Sequence, residues 1–478
     1  MPYENERASR LGQVTVANSP HVQSALGRWS YPETDPGAAL ALIDGSTHAL
    51  QSLGGVDGRP LRFGVISFDG SPQEVAARIE YPSVKVGYLQ VGAVLVRVDD
   101  YLAARRADGL VDIAALRSSH DSAVINTVLP STSIASNGRT GQQTWRDELF
   151  RTFRDQKAEV TLGNQISLLD AIMAVHGAPG RPAPTLTLNK CPECGHDKPA
   201  VPKQGAPCPT CGELLYPTDV LRTHEEYQPE ASNIGLLTRV MNVAERLLVI
   251  AFIEGLVGAP NANLLGQLTF ITDGPLALHG PTAPLRSRII DYWQTLVKDL
   301  HASNRALPLW VGIEKTGAFV DHARLIKDGI PLGHVMTLAN DYVKQHIVPA
   351  NSAPVYGVDE FYGRRFFYRT TTGAILVVSV PRPTPGRPYA SLSGQPSIPD
   401  PSCEAIASYD TLRPTLEVLD ELQTRMHQDA VVPLVLAHHE AALPLKTGRN
   451  VLSLLAQEYL GMEPSNLTAL RGQTGTFY

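Results

Sequence analysis

The period of hydrophobic and polar positions changes along the chain, and each change marks an element. From Leu61 the pattern reads as strands. LRFGVISF is an apolar run that stops on Asp69 and Gly70, and SVKVGYLQVGAVLVRVD is rich in β-branched residues with a turn signal at its centre. GQQTWRDELFRTFRDQ and SLLDAIMAV carry helical spacing, and one long helix is expected from about 235 to 257. LTFIT (268–272) predicts a buried strand that ends, like the first, on an aspartate followed by glycine, Asp273 and Gly274. PLWVGIEKTG (308–317) and TGAILVVSVPRP (372–383) predict further strands, the second leading into a proline-rich loop. In VVPLVLAHHEAALP (431–444) another apolar run ends on His438 and His439, read as a strand end, and a terminal helix is expected from about 448 to 461. The first 60 residues read as helical and loop-like, PGAALALIDGSTHALQSL (36–53) being the best helix.

Strands, then helices, then more strands imply a mixed α/β core that carries an insertion. Glycine and proline crowd together between Gly177 and Pro182 and mark its start. The expected organisation is an N-terminal helical extension (1–60), a first core part (61–176), a small insertion (177–218), a second core part (219–445) and a C-terminal helix and tail (446–478).

Charged residues make up 18% of the 478 residues, below the roughly 25% usual in soluble domains, while 43% are hydrophobic, so the core is ample. A formal net charge of −6 argues against a protein that coats nucleic acid by bulk charge. Any such contact must use local basic patches, for which RTFRDQK (151–157) and YGRRFFYR (362–369), with Arg364 and Arg365, are candidates. The polar, mixed-charge start does not read as a signal peptide. No apolar run reaches about 18 residues, the longest being broken by Glu254. A cytoplasmic protein without a membrane span is expected.

Four of the five cysteines lie in CPECGHDKPAVPKQGAPCPTCG, as two C-x2-C pairs thirteen residues apart: Cys191 and Cys194, Cys208 and Cys211. Two such knuckles surround one tetrahedral Zn²⁺ with four thiolates, and the glycine after each pair permits the turn around the metal. Four protein ligands leave no open position for water, which makes the zinc structural and the segment a ribbon that folds with its metal.

Neighbouring strands lie about 4.8 Å apart, so Asp69 and Asp273 at the ends of adjacent strands could share hard cations. Carboxylate oxygens favour Mg²⁺ or Mn²⁺, and a pair of ions about 3.5–4 Å apart clamps the attacking and leaving oxygens in phosphodiester hydrolysis. An Asp-Gly after a strand is also an ordinary turn. Glu245 and Glu254 both lie among apolar helical neighbours. A buried acid without a partner is costly, so either could be a third ligand. His438 or His439 could ligate a metal or move a proton, and Lys315 could neutralise a phosphate.

Together these segments resemble the NurA nuclease family, which works with the HerA hexameric DNA translocase. The resemblance rests on FDGS, MNVAERL, TDGPLAL, VGIEKTG and LAHHEAALP, in that order between residues 61 and 445. It implies an RNase H/Piwi-like core, Mn²⁺- or Mg²⁺-dependent exonuclease and single-strand endonuclease activity on DNA, and a role in end processing or anti-phage defence. It also implies a homodimer and docking to a HerA-type ATPase. By position it assigns Asp69, Glu245, Asp273 and His438 to the catalytic metal site, and it favours Glu245 over Glu254. The ribbon looks like an elaboration of some bacterial members. The rival reading from another class is a catalytically inactive RNase H-like adaptor that recruits DNA or a partner through the ribbon. A hydrolase of a small phosphoester also fits the carboxylates but leaves the ribbon without a role.

Overall fold

A computed structural model describes residues 12–29, 36–53, 64–77, 81–106, 110–116, 121–161, 164–257, 262–349, 355–382, 405–423, 431–442 and 452–456, apart from a few positions within these stretches. Nine strands form one mixed sheet: β1 (Thr47–Ala49), β2 (Gly64–Ala76), β3 (Lys85–Arg97), β4 (Asp121–Pro130), β5 (Leu268–Asp273), β6 (Leu309–Glu314), β7 (His334–Thr337), β8 (Gly363–Arg369) and β9 (Ile375–Pro381). Their spatial order is β1-β7-β8-β9-β6-β5-β2-β3-β4. The three central strands β6, β5 and β2 run parallel, and every other pairing is antiparallel. The chain leaves the sheet after β4 and returns at β5, directly beside β2.

Among the described residues, the helices that cover this sheet include α1 (Gly141–Asp155), α2 (Leu168–Val175), α3 (Ile234–Val257), α4 (Leu285–Ala302), α5 (Ala318–Ile326), α6 (Leu412–Glu421) and α7 (Val432–Ala441). Strand side chains alternate between faces, and the two faces have different partners. Ile66, Phe68, Phe270 and Trp310 pack under α1 to α4. Val65, Ile271, Val311 and Ile313 pack under α6 and α7, and α5 covers Phe367 and Val377. The starts of α1 and α2 are written locally: Thr140 with Gln143, and Ser167 with Asp170, form reciprocal capping boxes. Among the described residues no helix is long and apolar enough to cross a membrane.

Several elements differ from the sequence pattern, each for a physical reason. The expected helix over 36–53 is α-helical at Pro36–Ala41, while Thr47–Ala49 instead fills the sheet edge against β7 and Leu50–Ser52 forms a short 3-10 turn. The strand bearing Asp69 does not end there but continues to Ala76, because β3 pairs with it along its whole length. The turn signal inside β3 is no turn: Gly92 stays extended, and its missing side chain makes room for α7. VPLVLAHHEA is a helix rather than a strand, with Pro433 in the first turn, where its lack of an N–H does no harm. The expected terminal helix lies largely outside the described residues, as do 1–11 and 457–478.

Candidate active site and candidate zinc centre

The register of the parallel strands builds the acidic cluster. Phe68 pairs with Thr272, so Asp69 and Asp273 come next, side by side, on adjacent strands. Both share a face with Ile271, Val311 and Ile313, and Lys315 follows two residues after Ile313. The Lys315 ammonium donates to Asp69 Oδ2 at 2.7 Å and lies 3.3 Å from Asp273 Oδ1. Asp69 is buried at 2% exposure. Burial raises the Asp273 pKa above its ordinary value, with Lys315 opposing. Burial would lower the Lys315 ammonium, but Asp273 and Asp69 more than offset it and hold its pKa up. Gly274, at φ +75°, turns the chain away from Asp273.

Helix α7 brings the histidine. A Cβ on Gly92 would lie 3.3 Å from the Ala441 nitrogen and 3.4 Å from the Ala437 carbonyl oxygen, so a side chain here would push the helix backbone back and glycine lets it settle closely. Gly92 pairs with Asp69 across the strands, and His438 Nδ1 accordingly lies 3.2 Å from Asp69 Oδ2. His439 instead sits 3.8 Å from Glu440. The geometry thus selects His438, on a helix rather than at a strand end.

The third acid approaches from the opposite face. Gly70 points there, and a Cβ on it would lie 2.4 Å from Met241 Cγ and 3.1 Å from Glu245 Oε1. The glycine of the first Asp-Gly therefore serves close packing rather than a turn. Glu245, 1% exposed, is ion-paired with Arg246, and its Oε1 has no hydrogen-bond partner among the described residues. Burial pushes the Glu245 carboxyl up to about 8; Arg246 opposes this, and the nearby Asp69 and Asp273 charges add to it. Arg246 also donates to the carbonyl oxygens of Asp273, at 2.8 Å, and Pro275, at 3.2 Å. It ties α3 to the end of β5 and was not singled out from the sequence. A signal existed in an Arg beside the Glu in the middle of an apolar helix.

Glu254 is accounted for elsewhere: it accepts from Tyr292 Oη at 2.5 Å and from the Gly180 nitrogen at 3.0 Å, outside the cluster. Arg364 and Arg365 do not form a surface for a substrate. Arg364 is 6% exposed and lies over the Phe366 and Tyr409 rings. Arg365 forks onto Glu314 and stacks 3.6 Å from the Phe319 ring centre. Rings from several elements, Phe366 and Tyr409 at Arg364 and Phe319, Tyr356 and Phe361 at Arg365, bury and hold the guanidinium groups, which is why the run reads as basic but does not face solvent. Arg151 and Arg154 of the other basic run are exposed but paired with Glu148 and Asp155.

Among the described residues, only one group of three or more His, Cys, Asp or Glu has all its ligand atoms within 4.8 Å of one another, and it is the cysteine cluster. The Cys191–Cys211 and Cys194–Cys208 Sγ distances are 3.8 and 3.7 Å. A disulfide needs about 2.05 Å. Four thiolates at about 2.3 Å from a tetrahedral zinc stand about 3.8 Å apart, so the four sulfurs fit that ion. Short strand pairs, Thr185–Thr187 with Ala200–Pro202 and Ala206–Pro207 with Leu214–Leu215, frame the ribbon. A network that sequence reasoning missed seats it on α1. Arg139 forks between Asp147 and Glu213, and Arg146, 2% exposed, binds Glu213 and Asp219. No spacing along the chain announces these pairs.

No protein-family model matches the chain, and no curated protein matches it.

Proposed function

We propose that the chain is a divalent-metal-dependent DNA nuclease of the NurA kind, with an RNase H/Piwi-like core. In this reading it works as a homodimer beside a HerA-type hexameric ATPase. The observation that carries the reading is the convergence of Asp69 and Asp273 on adjacent parallel strands, with His438 at Asp69 and the unpartnered Glu245 Oε1 behind Gly70. A buried carboxylate oxygen without a partner is a costly arrangement, and oxygen donors in this number suit Mg²⁺ or Mn²⁺. In this reading Asp69, Asp273, Glu245 and His438 would hold such an ion, which when bound would supply Lewis-acid charge to a phosphodiester. Lys315 pairs with both aspartates and carries the charge that would neutralise a phosphate beside them. His438 offers an imidazole able to take or give a proton at the exposed side of Asp69. Arg246 holds the turn after Asp273, and so the direction of that carboxylate.

One observation favours the rival adaptor reading: the Lys315 ammonium pairs with both aspartates and would compete with a cation for them. A single assay separates the two. Labelled linear and single-stranded DNA is incubated with Mn²⁺ and the wild type, Asp69→Ala or Asp273→Ala protein. Cleavage by the wild type and its loss in both variants is expected. Equal behaviour of all three, with and without a HerA-type partner, would sink the nuclease reading.

A further inference from the structure

Away from the acidic cluster, an open cleft of about 960 Å³ separates the zinc ribbon from the helical layer. The first knuckle, with Cys191, Pro192 and Gly195, and the segment from Thr185 to Lys190 form one wall. The end of α2 at His176 and the first turn of α4 at Leu285 and Arg288 form the other. Four cations line it, Lys190, Lys198, Arg222 and Arg288, against two carboxylates, Asp219 and Glu225. Both carboxylates are already matched, Asp219 by buried Arg146 and Glu225 by Arg222 at 2.7 Å. Lys190, Lys198 and Arg288 make no ion pair with any described residue. The cleft therefore keeps three cations outside any ion pair, Arg288 with only the more distant Asp291 carboxylate acting on it, in a chain whose formal net charge is −6. Its polar lining adds Asn189, Gln142 and the threonines at 185 and 187.

Ion pairs seat the ribbon on the helical layer. Glu213, two residues past Cys211, is clamped by Arg139 and Arg146, so the four-thiolate centre and α1 move together. A preformed, open, cationic cleft with neutral hydrogen-bonding groups between its charges suits an extended polyanion more than a compact ligand.

The geometry points to this ribbon–core cleft as a phosphate-backbone site that holds a single nucleic-acid strand, separate from the acidic cluster. The choice of nucleic acid among polyanions rests on the function proposed above; the cationic cleft does not. Contacts here come from Lys and Arg to phosphates, which position a strand without reading its sequence. The ribbon's metal then has a second consequence, because it fixes one wall of the cleft.

The test uses the full, zinc-loaded protein without added Mn²⁺ or Mg²⁺, so that binding is read apart from cleavage. Anisotropy of a labelled single-stranded oligodeoxynucleotide is followed over a NaCl series for the wild type and for the triple charge reversal Lys190→Glu, Lys198→Glu, Arg288→Glu. Each lost phosphate contact removes about 0.7 from the slope of log affinity against log salt. The triple variant should lower the slope by up to about 2 and weaken binding about tenfold or more. The neutral set Lys190→Gln, Lys198→Gln, Arg288→Gln should fall between. Melting and Mn²⁺-dependent hydrolysis of bis(p-nitrophenyl) phosphate should match the wild type, since none of the three residues touches the acidic cluster. An unchanged slope and affinity would overturn the proposal. Polyglutamate binding as tightly as the oligonucleotide would overturn it too, in favour of an acidic protein segment. Strand binding lost in the variants of a wild type that cleaves no DNA would uphold the cleft while rejecting the nuclease.

Discussion

The cysteine centre and the acidic cluster are built by opposite strategies. The four thiolates come from 21 consecutive residues, Cys191 to Cys211, and their sulfurs already stand at the spacing of a tetrahedral ion. The acidic cluster draws on β2, α3, β5, the residue just beyond β6, and α7, elements that meet only because the sheet interleaves early and late strands. It has no ready cage: a lysine bridges two of the acids, and the third keeps an unpartnered oxygen. A local site can be closed and structural, whereas a site assembled by topology keeps residual electrostatic tension, the condition in which a cation or substrate has something to bind.

The largest effect that could break this comparison concerns the ribbon. Structural zinc contributes about 10–16 kcal/mol to the folding of small zinc peptides. Chelation, or Cys191→Ser, should therefore melt the ribbon while β2, β5 and β6 keep their amide protection in hydrogen exchange. Simultaneous loss of protection in the central strands would mean that the centre is not local. Next comes Arg246→Met, which strands Glu245 as a buried unpaired acid. Breaking a buried pair from one side costs about 3–5 kcal/mol, and denaturant unfolding should show it. The double variant with Glu245→Gln should recover most of that loss, and a single-variant loss below about 1 kcal/mol would show the pair to be unimportant.

A smaller effect tests how α7 is seated. Gly92→Val places methyls against the helix backbone, and overpacking of this kind costs about 1–3 kcal/mol. Its sharper readout is the His438 imidazole resonance, which should lose its dependence on an Asp69→Asn change once the helix is pushed away. Smallest is a pH effect at Glu254, whose pKa burial raises above 4.5. Between 4.5 and that raised value the folded protein keeps a proton the unfolded chain has released, so stability falls as pH rises through this window. Glu254→Gln retains an acceptor for Gly180 and Tyr292 and should flatten that part of the profile of urea midpoints. An unaltered slope would assign it to another group.

Local features were legible wherever the chemistry is close in sequence. The four thiolates, the helical spacing of α1 and α2, the long apolar α3 and the β5 and β6 runs all follow from spacing and period. The two Asp-Gly pairs looked alike but differ. Asp273-Gly274 is a strand end with a left-handed glycine, while Asp69-Gly70 lies inside a strand, where the glycine admits Met241 and Glu245. Periodicity cannot separate these cases, because the deciding contact comes from a helix far along the chain. Arg364 and Arg365 were misread for a related reason. Alternating basic and aromatic residues describe both a nucleic-acid surface and a buried cation–π stack, and only the neighbours on β6 and α5 distinguish them.

The sequence by itself determined a chain with enough apolar surface for a mixed α/β core, the place and ligands of the cysteine centre, and the residue types able to form an acidic site. These depend on composition and on contacts within a turn or two, which short-range sterics and metal geometry dictate. The tertiary structure decided that Asp69 and Asp273 stand side by side, that His438 rather than His439 faces them, that Glu254 belongs elsewhere, and that a cationic cleft opens beside the ribbon. Each of those outcomes depends on strand register and helix seating, and the free energy that sets them is summed over the whole core rather than over any stretch of chain.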